Sequence, residues 1–495
     1  MDRIKRQGRC NLETEYSIGD VIKLNFTTSP IEREDSMTKK NLWKSYTQDD
    51  YVKLEQVNNA YKQYLNFGKT ERECITATIQ LAQKAGYRDL QEIIKGKEPL
   101  KVGDKVYSVC MEKTIVLFQI GKENIETGLN ILGAHIDSPR IDVKQNPLYE
   151  AGEFAYLDTH YYGGIKKYQW VALPLAIHGV VVRKDGTKQE IVIGEKDEEP
   201  IFVITDLLVH LSAEQMENKA DKVIEGEKLD LIVGNKPMKG IEKEAVKENI
   251  LELLKKMYDI EEDDFISAEL EIVPAGKAKD CGIDRSMIIG YGQDDRACAF
   301  TSLLAILDTE GVKRTTCCLL VDKEEIGSVG ATGMHSKFFE NTVAEIIDRM
   351  GEYSELKLRR VLANSKMLSC DVSAAFDPMY ESVYEKENTA YFGRGIIFNK
   401  YTGSRGKSGS NDANAEYIAH LRDILEKNQI VFQTAELGKV DAGGGGTIAY
   451  ILAAYGMEVI DCGVAVLNMH APWEIVSKAD IYEAYKGYKV FLKEG

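Results

Sequence analysis

The sequence predicts an α/β fold in which a mostly parallel sheet is flanked by helices and interrupted by an inserted β-rich segment. From about residue 285 onward, apolar runs typical of strands alternate with helical patterns, which favours parallel βαβ connections. The middle of the chain carries short β-rich runs and one charged amphipathic helix instead. A length of 495 residues allows two or three domains. We therefore expect one discontinuous domain, 1–142 with 281–495, and a second domain inserted at 143–280.

Hydrophobic periodicity predicts the elements of the first and middle zones. Apolar residues spaced three and four apart predict helices over Asn41–Asn66 and Ile241–Met257. Short apolar and β-branched runs predict five strands, at Thr114–Ile120, Leu129–Ala134, Trp170–Val182, Glu190–Gly194 and Pro200–Ile204.

The last zone supplies the alternation of strands and helices. Its predicted strands are Ser286–Gly290, Thr315–Val321, Lys366–Cys370, Gly395–Phe398 and Val464–Asn468. Helices are predicted over Asp295–Leu307 and Ile448–Tyr455. The glycine-rich run Asp441–Thr447 precedes the second helix, and its small residues favour close approach of the backbone to a substrate over a flexible linker.

Composition excludes several classes of function. Lys+Arg 63 against Asp+Glu 79 gives a net charge of −16, which opposes binding to nucleic acid phosphates. No run approaches the roughly 20 apolar residues of a membrane span, and the N-terminus lacks the apolar region of a secretory signal. Nine cysteines without C-x-x-C spacing predict reduced thiols. We expect a cytoplasmic protein with neither nucleic acid nor membrane as a partner.

Metal-binding residue types follow several predicted strands. His135, Asp371 and His470 each end or closely follow an apolar run, and the pair Glu324–Glu325 follows another. Asp294 lies between a predicted strand and a predicted helix. Ligands of open α/β sheets bind outside the carboxyl ends of the strands, so we expect these side chains to converge there.

The residue types in this set indicate a metal centre. Imidazole nitrogens with carboxylate oxygens suit zinc, manganese or cobalt. So many carboxylates exceed the needs of one ion, whereas two ions roughly 3.5–4 Å apart require a carboxylate between them. The remaining carboxylate of the Glu-Glu pair is then available as a general base for water.

Three blocks of sequence resemble those of the aspartyl aminopeptidase family, which are dinuclear-zinc metallopeptidases. The blocks are Gly133-Ala-His-Ile-Asp-Ser-Pro-Arg140, Asp322-Lys-Glu-Glu-Ile-Gly-Ser328 and Asn468-Met-His-Ala-Pro472. They occur in the family's order within a resemblance that runs from about residue 12 to 490. The resemblance implies a zinc-peptidase-like catalytic domain that acts on peptides.

The resemblance also implies a role for each candidate residue. It assigns His135 and Asp371 to one metal ion, and Glu325 and His470 to the other. Asp294 would bridge the two ions. Glu324 would be the general base, and Asp137 would orient His135.

An inserted domain in the family builds dimers, which assemble into a tetrahedral dodecamer. The segment 143–280 matches the position of that insertion, so the resemblance implies a homo-oligomer. In the family a His-Leu pair of the insertion reaches a neighbouring subunit's active site. Val209-His210-Leu211 matches this pair, which makes His210 a candidate for transition-state stabilisation.

The chain departs from the family pattern at several positions, one of which is linked to specificity. Ile397 stands where the family has a lysine that recognises an acidic side chain. Ala374 and Asp377 replace two histidines that usually follow the metal-binding aspartate. An acidic substrate side chain would lack a cationic partner at residue 397, which is costly for a desolvated carboxylate. Arg394 or Lys400 could supply the cation, although neither stands at the matching position. The resemblance therefore carries over the chemistry but leaves the acidic preference open.

These observations favour an aminopeptidase that uses two divalent ions, zinc first and cobalt or manganese as alternatives. A carboxypeptidase or amide deacylase of the same superfamily would keep the metals and change the substrate. A metal-free, non-catalytic assembly protein is the third hypothesis, although all the inferred ligands and the base are present. The preferred N-terminal residue, the physiological metal and substrate, and the oligomer size stay open.

Overall fold

Three β-sheets and the helices that cover them make up the fold in a computed structural model, which describes residues 40–351, 353–404 and 406–495. The strands are β1 (Arg88–Asp89), β2 (Lys105–Cys110), β3 (Thr114–Gln119), β4 (Asn130–His135), β5 (Arg140–Ala151), β6 (Phe154–Tyr162), β7 (Leu175–Val182), β8 (Lys188–Ile193), β9 (Leu231–Gly234), β10 (Ala268–Pro274), β11 (Lys279–Cys281), β12 (Met287–Gly290), β13 (Thr316–Val321), β14 (Lys366–Cys370), β15 (Ser373–Ala374), β16 (Ile396–Asn399), β17 (Phe432–Thr434), β18 (Glu458–Gly463), β19 (Ala465–Leu467) and β20 (Glu474–Ser477). The α-helices are α1 (Gln48–Phe67), α2 (Glu71–Lys84), α3 (Leu90–Gly96), α4 (Ala213–Met216), α5 (Ala245–Tyr258), α6 (Gln293–Leu307), α7 (Phe338–Arg349), α8 (Glu355–Ala363), α9 (Ala415–Lys427), α10 (Ala449–Ala453) and α11 (Lys478–Glu494).

A nine-stranded mixed sheet forms the centre of the molecule, in the order β1-β2-β3-β13-β4-β14-β18-β16-β17. Its middle strands β13, β4, β14 and β18 run parallel. Helices α1, α2, α6, α9 and α11 pack on one face, and α3, α7, α8 and α10 pack on the other. Because both faces are covered, β4 and β13 are buried along their whole length and read as continuous apolar runs. The α/β class predicted from the sequence is confirmed.

A six-stranded antiparallel sheet is built from the middle of the chain, in the order β8-β7-β10-β5-β6-β9. Its strands begin at Arg140 and end at Pro274, and α5 packs against β5, β6 and β9. The buried side chains of this sheet form a hydrophobic core of their own around Trp170 and Ile272. The sheet falls within a few residues of the predicted insertion, 143–280, whose independence as a domain stays a prediction.

The third sheet differs from the prediction. It has five strands, in the order β11-β12-β20-β19-β15. The predicted strands Ser286–Gly290 and Val464–Asn468 belong here, as β12 and β19, and not to the central sheet. The chain leaves the central sheet at Gly463, where a Cβ atom would lie 1.8 Å from the main-chain oxygen of Asp371. Only glycine permits this crossing, since any side chain would overlap the backbone of the next strand.

Other predicted elements begin later than expected or do not form. The segment predicted as a strand at Pro200–Ile204 makes isolated bridges instead. The strand predicted over Trp170–Val182 begins at Leu175, because Pro174 before it has no N–H to donate to a neighbouring strand. Helix α5 begins at Ala245 because the Glu150 side chain accepts hydrogen bonds from its first free N–H groups. The helix predicted over Asn41–Asn66 starts at Gln48, where Thr47 and Asp50 form a capping box.

The eight cysteines in the described part of the chain are free thiols, whereas Cys10 lies outside it. No helix among the described residues has the length and apolar character needed to cross a membrane.

A buried ionic cluster joins the central sheet's helices to the six-stranded sheet. His178 on β7 is buried and contacts Glu73 of α2 through Nδ1 (2.8 Å) and Glu195 through Nε2 (3.2 Å). Lys69, which precedes α2, also pairs with Glu195. Burial by itself would lower the pKa of His178, but the two carboxylates outweigh burial and raise it to about 9.

We expect this cluster to make stability depend on pH. The pKa of His178 is higher in the folded chain than in the unfolded chain, so its stabilisation is complete below pH ~6.5 and disappears as the pH rises through about 9. Replacing His178 with Gln should cost roughly 2–3 kcal/mol at the acidic end of this window and little above it. Thermal midpoints across the window measure this, with exposed His160→Gln on β6 as the control. A constant difference between wild type and His178→Gln would contradict the assignment.

Candidate metal centre

Five side chains that the sequence predicts as metal ligands meet between the central and five-stranded sheets. His135 is the last residue of β4, and Asp371 directly follows β14. Glu325 lies in a 3-10 turn, Glu324–Ile326, shortly after β13. Asp294 is in the first turn of α6, and His470 lies in the loop between β19 and β20. Strand ends and the loop thus bring residues from distant parts of the sequence to one place.

Asp294 occupies the middle of this group. Its Oδ1 lies 3.3 Å from Nε2 of His135, and its Oδ2 lies 3.3 Å from Nε2 of His470. Asp371 is 3.9 Å from the first imidazole, and Glu325 is 3.5 Å from the second. Each oxygen of a single carboxylate therefore faces a different imidazole with its own neighbouring carboxylate.

The donor atoms fit divalent metal ions. His135, Asp294 and Asp371 offer three atoms within 4.8 Å of one another, and so do Asp294, Glu325 and His470. One nitrogen and two carboxylate oxygens in each group form the ligand set that zinc accepts. The buried Oε1 atom of Glu325 has no hydrogen-bond partner among the described residues, which leaves it free to bind an ion.

The centre concentrates negative charge in a buried space. Burial raises the pKa of Glu324 to about 7, with Asp137 and Asp294 adding to the effect and His135 opposing it. Burial likewise raises the pKa values of Glu325 and Asp371 well above the usual range. The carboxylates of Asp294, Glu324, Glu325 and Asp371 share the imidazoles of His135 and His470, and positive ions would relieve the repulsion between these carboxylates.

Asp137 supports the centre in more ways than the sequence predicts. Nδ1 of His135 lies 3.0 Å from the main-chain oxygen of Asp137 and 3.4 Å from its Oδ1 atom, which leaves Nε2 directed at Asp294. The same carboxylate accepts hydrogen bonds from the main-chain N–H groups of Glu324 and Glu325, both at 3.2 Å. One buried side chain thus fixes an imidazole and the turn that carries the Glu-Glu pair.

The six-stranded sheet also contributes to the centre, which the sequence analysis missed. The hydroxyl of Tyr162, the last residue of β6, donates to Oδ2 of Asp137 at 2.8 Å. The guanidinium of Arg140 lies 3.8 Å from the centre of the Tyr162 ring. Two residues on, the carbonyl of Gly164 is 2.9 Å from Nδ1 of His470. Nothing in the local pattern of this segment indicates these contacts, because they arise only when two sheets meet.

Glu474 is a second group that the sequence analysis missed. Its buried carboxylate accepts hydrogen bonds from the N–H of His470 at 2.7 Å and from the N–H of Asp294 at 3.0 Å. One side chain thereby ties the backbone of the central carboxylate to that of an imidazole. The only signal available is a charged residue four positions after His470, at the start of an apolar strand.

Two other predicted positions lie apart from the five side chains. His210 is exposed on the 3-10 turn Val209–Leu211, and no hydrogen bond or ion pair within the described ranges links it to the centre. Ile397 is buried in β16 within a small apolar cluster that includes Ala375, Ala435 and Ala465. The structure therefore puts no cation at residue 397.

The glycine-rich segment 441–446 is followed by Thr447, which lies two residues before the first residue of α10, Ala449. The Thr447 hydroxyl donates to Asp461 of β18 at 2.5 Å and accepts from the N–H of Ala449 at 3.2 Å. This pair of bonds anchors the segment to the same face of the central sheet on which Asp371 follows β14.

Comparison with known proteins gives one consistent family. The family model for Aminopeptidase I zinc metalloprotease (M18) matches residues 64–492. A Clostridium acetobutylicum protein named "Probable M18 family aminopeptidase 1" is 62% identical over 454 residues, 92% of this chain and 98% of that protein.

Solved structures agree with the sequence matches. Aminopeptidase I from C. acetobutylicum is 60% identical with a TM-score of 0.86, covering 93% of this chain and 100% of that one. The M18 aminopeptidase of Thermotoga maritima is 43% identical with a TM-score of 0.88, covering 92% and 99%. The mApe1 dodecamer of S. cerevisiae is 20% identical with a TM-score of 0.71, covering 89% and 97%, and shares the fold.

We expect the Tyr162 hydroxyl to matter for metal affinity. Tyr162→Phe removes the hydrogen bond to Asp137 while keeping the ring under Arg140, and outer groups of this kind typically contribute about 10- to 100-fold to affinity. Zinc affinity should therefore fall by about 10-fold or more, measured by competition with a chelator.

The matched control is Tyr161→Phe, one residue earlier on the same strand, where the ring is exposed. This variant should bind zinc like the wild type. Equal affinities for both variants would show that the hydroxyl of Tyr162 has no part in positioning the ligands.

Proposed function

Because the chain belongs to the M18 family of zinc metallopeptidases and is an aminopeptidase, we propose that it cleaves the N-terminal residue from peptides at the centre described above. The observation that carries the proposal is the position of Asp294, whose two oxygens face two different imidazoles at 3.3 Å. A bridging carboxylate is what a pair of closely spaced ions requires.

The proposed centre holds two divalent ions. His135 and Asp371 would bind one, Glu325 and His470 the other, and Asp294 both. Zinc is the metal of the matched family, and cobalt or manganese would suit the same donor atoms. When bound, the ions supply Lewis-acid polarisation of the scissile carbonyl and make water more acidic.

Glu324 is the proposed general base. Its carboxylate lies 3.9 Å from Nε2 of His135, beside the proposed ligands, which is where a general base must lie to reach the attacking water. It takes a proton from the attacking water as the oxygen adds to the carbonyl carbon, and then delivers that proton to the nitrogen of the leaving amine. The Asp137 carboxylate accepts a hydrogen bond from the main-chain N–H of Glu324 and would thereby hold the turn of Glu324 in place.

The specificity proposed is for an uncharged N-terminal side chain. Ile397 lies among buried alanines, and an acidic side chain placed there would lose its hydration without gaining a cation. Arg394 stacks over Tyr391 at 4.5 Å and is therefore engaged elsewhere. A peptide that begins with a small or apolar residue suits this environment better.

Assembly is part of the proposal. We expect the segment 143–280 to act as an inserted dimerisation and lid domain of the discontinuous catalytic domain 1–142 with 281–495, with dimers forming a tetrahedral dodecamer. Val209 and Leu211 are 76% and 67% exposed beside His210, which supports burial of this turn against a neighbouring subunit. His210 would then complete the neighbour's site. The mApe1 structure is a dodecamer on the same fold.

The proposed location is the cytoplasm. The free thiols of the described residues support this location, since disulfides are rare in that compartment.

The central test of the chemistry is Glu324→Gln. The amide cannot accept the proton, so turnover should fall by about 100- to 10,000-fold while zinc content stays near that of the wild type. Peptide hydrolysis and metal analysis of the same sample measure both quantities. Glu345→Gln, on the exposed side of α7, should change neither. Unchanged turnover in Glu324→Gln would exclude Glu324 as the base.

A peptide panel tests substrate class. Free N-terminal Leu, Met, Ala, Asp and Glu are compared with the same peptides carrying an acetyl block. We expect cleavage of free peptides only, with Leu or Met ahead of Asp and Glu, because no cation lies at residue 397. Equal cleavage of blocked peptides would point to the carboxypeptidase or deacylase alternative, and no hydrolysis by zinc-loaded protein would point to an assembly role. A strong acidic preference would overturn the specificity proposed for Ile397.

A further inference from the structure

A row of buried polar side chains crosses the central sheet below the metal centre. Ser369 on β14 is the register partner of Asp461 on β18, and Asp461 is the register partner of Asn399 on β16. Partners in register point to the same face of a sheet, so the three side chains lie side by side. Ser369 precedes Asp371 by two residues, which puts the row about 7 Å along the strand from that residue.

Four oxygens in or beside this row lack a hydrogen-bond partner in the described part of the chain. Oγ of Ser369, Oδ1 of Asn399 and Oδ2 of Asp461 are buried and have no hydrogen-bond partner within the described residues, and the same holds for Oγ1 of the nearby Thr402. The hydroxyls of Ser369 and Thr402 also lie close enough to Asp461 to lower its pKa, so these oxygens form one cluster. Buried polar atoms in native proteins are almost always satisfied, and a bound water or ion would satisfy this cluster.

The charge of the row favours an ion over water. Burial raises the pKa of Asp461 to about 6, so the carboxylate is mostly ionised above pH 7. The groups that oppose this rise are the hydroxyls of Thr447, Ser369 and Thr402 and its own backbone, and no cationic side chain is among them. A buried carboxylate without a counter-charge is costly, and one positive charge would balance it.

We propose that Ser369, Asn399, Thr402 and Asp461 bind a monovalent alkali cation, sodium or potassium. Neutral hydroxyl and amide oxygens replace the hydration shell of such ions, whereas calcium sites gather several carboxylates. The proposal is independent of the two-metal centre, since none of these four residues belongs to it.

The site would also fix the glycine-rich segment. The other oxygen of Asp461 accepts the Thr447 hydroxyl, and the N–H of Gly403, next to Thr402, donates to the carbonyl of Gly445 at 2.6 Å. A cation held by Thr402 and Asp461 therefore ties both sides of the segment 441–446 to the sheet. Its loss would loosen this segment without removing any of the five proposed metal ligands.

The test compares thermal midpoints of the zinc-loaded, full-length protein in potassium, sodium and choline chloride at equal ionic strength and pH 8. Because an ion that binds only the folded state stabilises it, the midpoint should be higher by about 2 °C in at least one alkali salt than in choline. Identical midpoints in all three salts would overturn the proposal and leave water as the occupant.

Variants locate the effect. Asp461→Asn should abolish the difference between alkali and choline salts, whereas Asp423→Asn, an exposed aspartate of α9, should keep it. If Asp461→Asn does not fold, Ser369→Ala offers a milder change that should weaken the salt effect. Broadening of the sodium NMR signal by the wild-type protein, reversed by potassium, gives a readout free of any variant. A salt effect that both variants retain would also contradict the site.

Discussion

The crowding of carboxylates around Asp294 is the constraint on which the rest of the structure depends. Glu324, Glu325 and Asp371 all have raised pKa values because they are buried near one another and near Asp294. Such a group repels itself unless positive charge is supplied, so the fold must hold the side chains in place against that repulsion. The surrounding strands and turns hold these side chains in place. They bind either the main chain of the residue that carries the side chain or a second polar atom of the side chain itself.

Each of the three sheets provides one part of this support. The central sheet places His135 and Asp371 at its strand ends, and Asp137 follows from the same strand. The five-stranded sheet supplies Glu474, which binds the main chain of Asp294 and of His470. The six-stranded sheet adds the hydroxyl of Tyr162. The centre is therefore not a property of one sheet, although all its proposed ligands lie outside the middle segment of the chain.

The sequence was sufficient to locate the five proposed ligands and the supporting Asp137, but not the other groups that hold them in place. Strand ends converge by the geometry of α/β sheets, so His135, Asp371 and the Glu-Glu pair could be located from apolar runs alone. His470 was found by the same argument, although its strand lies in another sheet. Tyr162 escaped because its role depends on a contact between two sheets, and Glu474 escaped because it binds main-chain N–H groups of distant residues. Neither kind of contact leaves a periodic pattern in the chain.

The position of Tyr162 changes how the inserted segment should be understood. If the segment 143–280 only mediated assembly, its sheet could shift on the catalytic part without consequence. Yet the last residue of β6, Tyr162, donates a hydrogen bond to Asp137. Shortly after it, the carbonyl of Gly164 contacts the imidazole of His470. The ionic cluster of His178 with Glu73 and Glu195 fastens the same sheet to α2. The six-stranded sheet and the residues that follow β6 therefore take part in positioning both imidazoles, one through Asp137 and one directly.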